Sequence, residues 1–466
     1  MKIDLATQAG RTIVDQVVAA IAEGVESRNL PPGRKLPSIR AFAEANDISK
    51  STVVEAYDRL VARGLLESRH KVGFFVAGQR PPFDLSEPDP ARDRDIDPMW
   101  MVRQSVEVDS HCLKPGCGWL PAEWLGGDGL RRGFRALARA PQSQIIDYGR
   151  PLGYAPLRTQ LQRIFAERSI EAGLGQIMLT DSGTQAIDLI NRLLIQPGDT
   201  VFVDDPCYFN YLCNLRAHRA KVVGIPFRPN GPDPDIFAAE AARHHPRLYL
   251  SNATLHNPTG ATMSPAVAHR LLKHAEDFDI TIVEDDIFAD FEEHPTPRLA
   301  SLDQLKRVIY VGSFSKTMSS AMRCGHIAAR ADLIEGLTDL KLATMISNNE
   351  ISAQVMHELL TDGSYRKHVE ALRGRLRKAG AEVRRSLADI GLGLWTDPRG
   401  GAFLWAVLPE GRDSSVIAKR ALAEGISLAP GNAFSVSQTA GRYLRFNVAQ
   451  SGHQRIYEVL RRILGT

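Results

Sequence analysis

The chain has 466 residues, 44% of them apolar and 24% charged, which is too long for one module and ordinary for a globular protein with a large core. The formal charge is only +3, so no polyanion-binding surface covers the whole molecule. The excess sits at the N-terminus, where residues 1–80 hold 12 Lys+Arg against 9 Asp+Glu. Five cysteines are too few and too odd in number for a disulfide framework. His111, Cys112 and Cys117 make the best metal-like fragment but lack a second pair at zinc spacing, so ordinary thiols and no metal are expected. The opening residues MKIDLATQAG lack the apolar stretch of a signal peptide, and no apolar run nears about 18 residues. A soluble protein in the reducing cytoplasm, with no membrane contact, is the expectation.

In chain order, Ile13, Val17, Ile21 and Val25, with Val14 and Val18 beside them, form the apolar stripe of a first helix. Pro31-Pro32-Gly33 breaks it. Ser38 caps a second short helix with Ile39, Phe42 and Ala43 inward. After a turn at Asn46-Asp47, Ser49 caps a third helix, with Val53, Tyr57, Leu60 and Val61 facing the core. Residues 65–78 read as two strands around a turn at His70-Lys71-Val72-Gly73. Proline and charge then crowd residues 79–98, the composition of a stiff, solvated linker or of an ordered arm lying on the next domain. From about 140 onward, β-rich runs at 201–206, 247–252, 280–286 and 308–315 alternate with helical stretches. That alternation predicts a doubly wound α/β lobe, a parallel sheet covered on both faces. Strand-like runs at 401–407 and 443–449 suggest a smaller α+β lobe over roughly 345–466. The expected domains are 1–78, a linker 79–98, and 99–466.

Three helices and a hairpin give a winged helix-turn-helix, whose third helix enters the major groove. Ser49, Lys50, Ser51 and Thr52 open that helix with short donors and one cation. Arg34, Lys35 and Arg40 precede it, and Arg69, His70 and Lys71 flank the wing turn. Charge clusters alone fit a solvated helix face equally well. The run from Pro31 to Val76, however, resembles the GntR-type winged helix almost position by position. The resemblance implies that Arg40, Ser49, Lys50, Ser51, Thr52 and His70 contact double-stranded operator DNA. Lys50 stands where that family usually has Arg, and Lys71 where the wing usually has Gly. A lysine lacks the planar fork that reads guanine bidentately.

A pyridoxal 5'-phosphate site needs a lysine for the aldehyde, a carboxylate for the pyridine nitrogen, donors for the phosphate and an aromatic ring over the plane. Lys316 follows the strand-like run VIYVGSFS, and Asp285 ends ITIVED. Ser182-Gly183-Thr184 opens a helix with small residues suited to an anion. Asn257-Pro258-Thr259-Gly260 follows another strand. Each fragment alone could be a turn; their order and spacing carry the reading. Residues 140–450 resemble a fold-type I aminotransferase through YGRPLGYAPLR (148–158), SGTQAIDL (182–189), DDPCYFNY (204–211), HNPTG (256–260), VEDDIFADF (283–291), SFSKTMSSAMRCG (313–325), GGAFLW (400–405) and YLRFNVA (443–449). The resemblance implies that Lys316 bonds the cofactor aldehyde and Asp285 pairs with the ring nitrogen. It likewise implies that Asn257 meets the ring oxygen and Tyr208 stacks on the ring. Gly183, Thr184, Ser313 and Arg323 would hold the phosphate, with Tyr148 reaching that of the neighbouring subunit. Arg445 would grip the substrate carboxylate. Phe288 stands where the family usually has a Tyr whose hydroxyl donates to the ring oxygen, so the reactivity of the bound cofactor should differ.

The two halves together resemble the MocR regulators, which form head-to-tail homodimers. The resemblance implies a regulator in which the aminotransferase-like domain senses an amine, an amino acid or the cofactor. Two alternatives stay open: a working aminotransferase with an autoregulatory or idle head, and a repressor that binds DNA without regard to any ligand.

Overall fold

In the computed structural model the described residues are 12–26, 30, 34–69, 73–77, 98–107 and 111–465. The chain divides into two units, Met1–Glu87 and Pro88–Thr466. In the first unit the described elements are α1 (Ile13–Glu26), α2 (Ile39–Asn46), α3 (Lys50–Ala62), β1 (Leu66–Arg69) and β2 (Gly73–Val76). Both expected caps form: Ser38 Oγ accepts from the Ala41 amide at 3.2 Å, and Ser49 Oγ from the Thr52 amide at 3.1 Å. Each is worth about 1 kcal/mol to its helix. Asp47, at φ 53°, turns the chain between the two helices in the left-handed region that Asp tolerates. Val17, Ile21, Phe42, Val53, Tyr57 and Leu60 are fully buried in one cluster. Ile13 does not join them and is 50% exposed; in the first turn its Cα–Cβ bond points back past the helix start. Strands β1 and β2 pair antiparallel from Leu66 opposite Val76 to Arg69 opposite Gly73. His70 and Lys71 in the wing turn, like residues 79–97 of the linker, lie outside the described residues.

The second unit is built on an eight-stranded sheet. Its strands are β3 (Ile177–Thr180), β4 (Thr200–Asp205), β5 (Lys221–Arg228), β6 (Gly231–Pro232), β7 (Leu248–Ser251), β8 (Thr281–Asp285), β9 (Val308–Ser313) and β10 (Gly325–Ala328), in the order β3-β10-β9-β8-β7-β4-β5-β6. The run β9-β8-β7-β4-β5 is parallel, as the alternating pattern predicts. Two strands outside those predicted runs depart from the parallel order: β10 runs antiparallel between β3 and β9, and β6 antiparallel beside β5. The short connection from Ser313 to Gly325 holds no crossover helix, so the chain simply returns. Two apolar clusters cover the faces. One gathers Leu157, Phe165, Phe237, Leu271 and Tyr310; the other gathers Ile187, Ile190, Leu215, Ile327 and Leu337. Lys341 is fully buried, and its ammonium donates to the Pro151 and Leu179 carbonyls and to Asn348 Oδ1, each at 2.8 Å. It pins the loop before β3 to helix Ala331–Met345.

A second sheet, β11 (Gly393–Leu394), β12 (Phe403–Val407), β13 (Ala429–Pro430) and β14 (Tyr443–Asn447), is ordered β11-β12-β14-β13 and antiparallel. Phe403, Trp405, Phe434 and Phe446 fill its core. Helix Glu350–Thr361 packs with the large sheet through Ala353, Val355 and Met356. The packing changes over within helix Ser364–Ala388, between Val369 and Leu372. The segment after helix Pro98–Glu107 joins the small sheet: the Leu113 amide donates to the Gly425 carbonyl, and the Ser427 amide to the Leu113 carbonyl.

Candidate functional site

Parallel strands end together, and their carboxyl ends open a crevice. Asp285 is the last residue of β8 and Ser313 the last of the adjacent β9; Lys316 follows three residues on. Gly183, Thr184, Tyr208, Asp285, Ser313, Lys316 and Arg323 all line one cleft. Seven short-range signals scattered over 140 residues of sequence thus converge on one place.

The cleft has a distinct chemistry at each end. At one end helix Gly183–Leu194 begins, capped by Ser182 Oγ, which accepts from the Gln185 amide at 3.1 Å. Its first amides have no carbonyl within the helix to reach. The Gly183 Cα faces Ile287 and Ser313, where an added Cβ would stand 3.3 Å from Ile287 Cγ2. Arg323, exposed and at φ 47°, lines the same end, and among the described residues no carboxylate pairs with it. The Ser313 hydroxyl is engaged: it donates to the Cys324 carbonyl at 3.1 Å and lies 2.9 Å from Ser315 Oγ.

At the other end Asp285, 4% exposed, accepts from the Tyr211 hydroxyl at 2.5 Å and from the Ile287 amide at 3.2 Å. Burial pushes its carboxyl up to about 6, against the lowering pull of the Tyr211 hydrogen bond. Burial, and then the Arg445 charge, push the Lys316 ammonium down to about 8. About a tenth of that amine is therefore neutral and nucleophilic at pH 7, far more than for an ordinary lysine. Burial likewise pushes the Tyr208 hydroxyl up to about 12, so the ring stays a neutral phenol.

Arg445 and Asn257 do not line the cleft; they meet behind it. Arg445 is fully buried and donates from Nη1 to Asn257 Oδ1 at 2.7 Å and from Nη2 to the Gly116 carbonyl at 2.6 Å. Its guanidinium lies 4.5 Å from the Phe403 ring and 4.8 Å from the Phe434 ring, while Nε is buried without a partner. Lys316 Nζ donates to the Gly118 carbonyl at 2.9 Å. Residues 116–118 therefore lie as a strap over both cations. Tyr148 is 81% exposed and absent from the lining of its own cleft. Phe288 is buried edge-on to Phe403, with ring centroids 5.3 Å apart.

Three contributors escaped sequence reasoning. Tyr211 sits three residues past Tyr208, a spacing that reads only as one helix turn. Asn252 donates to the Asp285 carbonyl at 2.7 Å and accepts from the Asn257 amide at 2.7 Å, tying the two strand ends together. Glycine carbonyls carry no sequence signal at all. The amine, buried carboxylate, helix terminus, unpaired guanidinium and aromatic rings fit a flat heteroaromatic aldehyde bearing a phosphate. In the N-terminal unit, Arg40 is exposed and pairs with Glu44 at 2.9 Å. Lys50 and Ser51 are exposed at the start of α3, where Ser49 Oγ also contacts Ser51 Oγ at 2.8 Å and Thr52 Oγ1 at 2.7 Å. Among the described residues no group of His, Cys, Asp and Glu could hold a metal ion, and no helix is long and apolar enough to cross a membrane.

Comparison with known proteins agrees with both halves. Residues 130–463 match the family described as aminotransferase class I and II, and residues 13–76 match the gntR family of bacterial regulatory proteins. The uncharacterized HTH-type transcriptional regulator YdfD of Bacillus subtilis is 28% identical over 465 residues, 95% of each chain. Aromatic-amino-acid aminotransferase 1 of Thermococcus litoralis is 30% identical over 335 residues, 70% of this chain and 80% of that one. Kynurenine aminotransferase of Pyrococcus horikoshii, solved in complex with PMP, superposes with a TM-score of 0.73 at 25% identity, covering 81% of this chain and 96% of that one. The chain therefore belongs to the aminotransferase class I and II family and carries a GntR-family regulatory domain at its N-terminus, the two-part arrangement of MocR regulators.

Proposed function

We propose that the chain regulates transcription by binding operator DNA through its GntR unit and sensing an amine or amino acid in a pyridoxal 5'-phosphate site in its large unit. One observation carries this reading: Lys316, Asp285, Tyr208, Gly183, Thr184, Ser313 and Arg323 line one cleft in a chain that also carries a GntR domain. When bound, the cofactor supplies an aldehyde and an electron-withdrawing ring. Lys316 would hold that aldehyde through its ε-amine, which an incoming amine would have to displace. Asp285 would hold the ring nitrogen protonated and Tyr208 would cover the ring, while Asn257, outside the cleft lining, would have to reach in to meet the ring oxygen. The Gly183 and Thr184 amides, Ser313 and Arg323 hold the phosphate. Exposed Tyr148 serves the phosphate of a second copy in a homodimer. Arg445 binds the ligand carboxylate, and to do so it releases the Gly116 carbonyl. Ligand arrival thus disturbs a strap that follows the inter-unit linker in sequence, which supplies the differential contact a sensor needs. In the DNA unit, Arg40, Ser49, Lys50, Ser51 and Thr52 contact the operator, and so does His70, which lies outside the described residues.

The test is direct. Protein loaded with pyridoxal phosphate is reduced with borohydride and digested. A pyridoxyl tag on the Lys316 peptide, with operator binding in gel shifts altered by the cofactor or by members of an amine and amino-acid panel, supports the reading. A missing tag refutes the site, and binding indifferent to every ligand refutes the sensor. The aminotransferase reading draws support from the similarity to the Thermococcus litoralis enzyme. Steady turnover of amino donors with 2-oxo acids at about 1 per second or faster would establish it.

A further inference from the structure

Asp285 would have to do its work in a poor place for a carboxylate. It is 4% exposed, with the adjacent Asp286 carboxylate raising its pKa and the Lys316 charge lowering it. A buried carboxylate takes up a proton unless donors hold it ionised. Two donors do so here. The Ile287 amide is a weak one at 3.2 Å, and the Tyr211 hydroxyl is a close one at 2.5 Å. Tyr211 is itself 2% exposed and lines the cleft beside Asp285. The aromatic residue at 288 has no hydroxyl, and Phe288 packs against Phe291 and Phe403. Of the two phenols lining the cleft, Tyr208 and Tyr211, it is Tyr211 that donates to the carboxylate.

We propose that Tyr211 is a positioning residue that keeps Asp285 ionised and aimed at the cofactor's ring nitrogen. It acts through Asp285 and touches neither the ligand nor the lysine bond. The inference rests on the cofactor reading above. With the phenol present, the proton shared between ring nitrogen and Asp285 stays on the ring, and the ring withdraws electrons from the lysine nitrogen. Without it the proton moves toward Asp285, and the lysine nitrogen becomes more basic.

The experiment is a pH titration of the visible band of the cofactor-loaded full chain, wild type against Tyr211→Phe, with cofactor affinity measured by equilibrium dialysis. Tyr211→Phe keeps the ring and its packing. We expect the pKa of the band to rise by about half a unit or more, and cofactor affinity to fall about tenfold. A variant with 3-fluorotyrosine at 211, a stronger donor, moves the band the opposite way and keeps the test alive if Tyr211→Phe folds poorly. A wild-type titration curve and wild-type affinity in both variants overturn the proposal, because a packing role alone moves neither. If borohydride leaves no pyridoxyl tag on wild-type Lys316, the cofactor reading falls and takes this inference with it. A tagged wild type with unmoved variants overturns this inference alone.

Discussion

A single methyl group tests the strap. A Cβ at Gly116 would stand 2.4 Å from the Ala429 nitrogen and 2.5 Å from the Leu428 carbonyl carbon. Both are backbone atoms and cannot swing aside, so in Gly116→Ala the strap must retreat by about an ångström to reach ordinary contact. That lengthens the 2.6 Å bond from Arg445 Nη2 to the Gly116 carbonyl and the 3.0 Å bond from the Gly116 amide to the Ser427 carbonyl. A hydrogen bond to a charged group is worth about 1.5–3 kcal/mol and a neutral one about 0.5–1.5 kcal/mol, so a loss of about 3 kcal/mol is expected. Urea unfolding followed by tryptophan fluorescence should show a lower midpoint for the large unit. The second readout is sharper. With Gly116 withdrawn, an amino-acid carboxylate no longer competes for Arg445. Its apparent affinity, read from the cofactor's visible band, should rise about tenfold for about 1.4 kcal/mol of relieved competition. The matching decarboxylated amines do not reach Arg445 and should be unaffected. Amino-acid affinity that stays at the wild-type value or falls refutes strap competition.

Other consequences are simpler to state. Because the Lys316 ammonium sits near 8, the rate at which the apoprotein captures pyridoxal phosphate should climb with pH through about 8. Arg445→Met removes a neighbouring positive charge and should move that midpoint upward; a midpoint that stays or drops contradicts the assignment of cause. Arg40→Ala and Lys50→Ala should each weaken operator binding in gel shifts and flatten its salt dependence by about one unit of slope per lost phosphate contact. Unchanged binding in both removes that face from the DNA. Lys341→Met takes the donor from two buried acceptors and one partly buried one and should lower stability by about 3 kcal/mol, read from chemical denaturation. A neutral effect would mean that the loop before β3 is held by other contacts.

The sequence was most readable where chemistry and local structure share a few residues. Ser38 and Ser49 announce their helices because a hydroxyl cap acts within three residues. Lys316 and Asp285 are legible because each follows an apolar strand, and strand ends are where parallel sheets place polar groups. Long-range and main-chain features were not. The Tyr211–Asp285 bond spans 74 positions, and Gly118–Lys316 spans 198, with a carbonyl as one partner. The antiparallel insertion of β10 was hidden because Gly325–Ala328 is short and apolar in either direction. Arg445 was recognised as a residue, but its closure under Gly116 depends on where two distant segments cross.

The two cations of the site hang from different frames. Lys316 and Asp285 extend from adjacent strands of the large sheet, whereas Arg445 lies on β14 of the small one, next to the strap paired with residues 425–427. Anchor and jaw are thus separate parts. Rotation of the small sheet would change the gap between the two cations while Lys316 and Asp285 keep their spacing. The length of a bound molecule, from amine to acid, would then set how far the jaw shuts. A ruler of that kind converts molecular size into an angle.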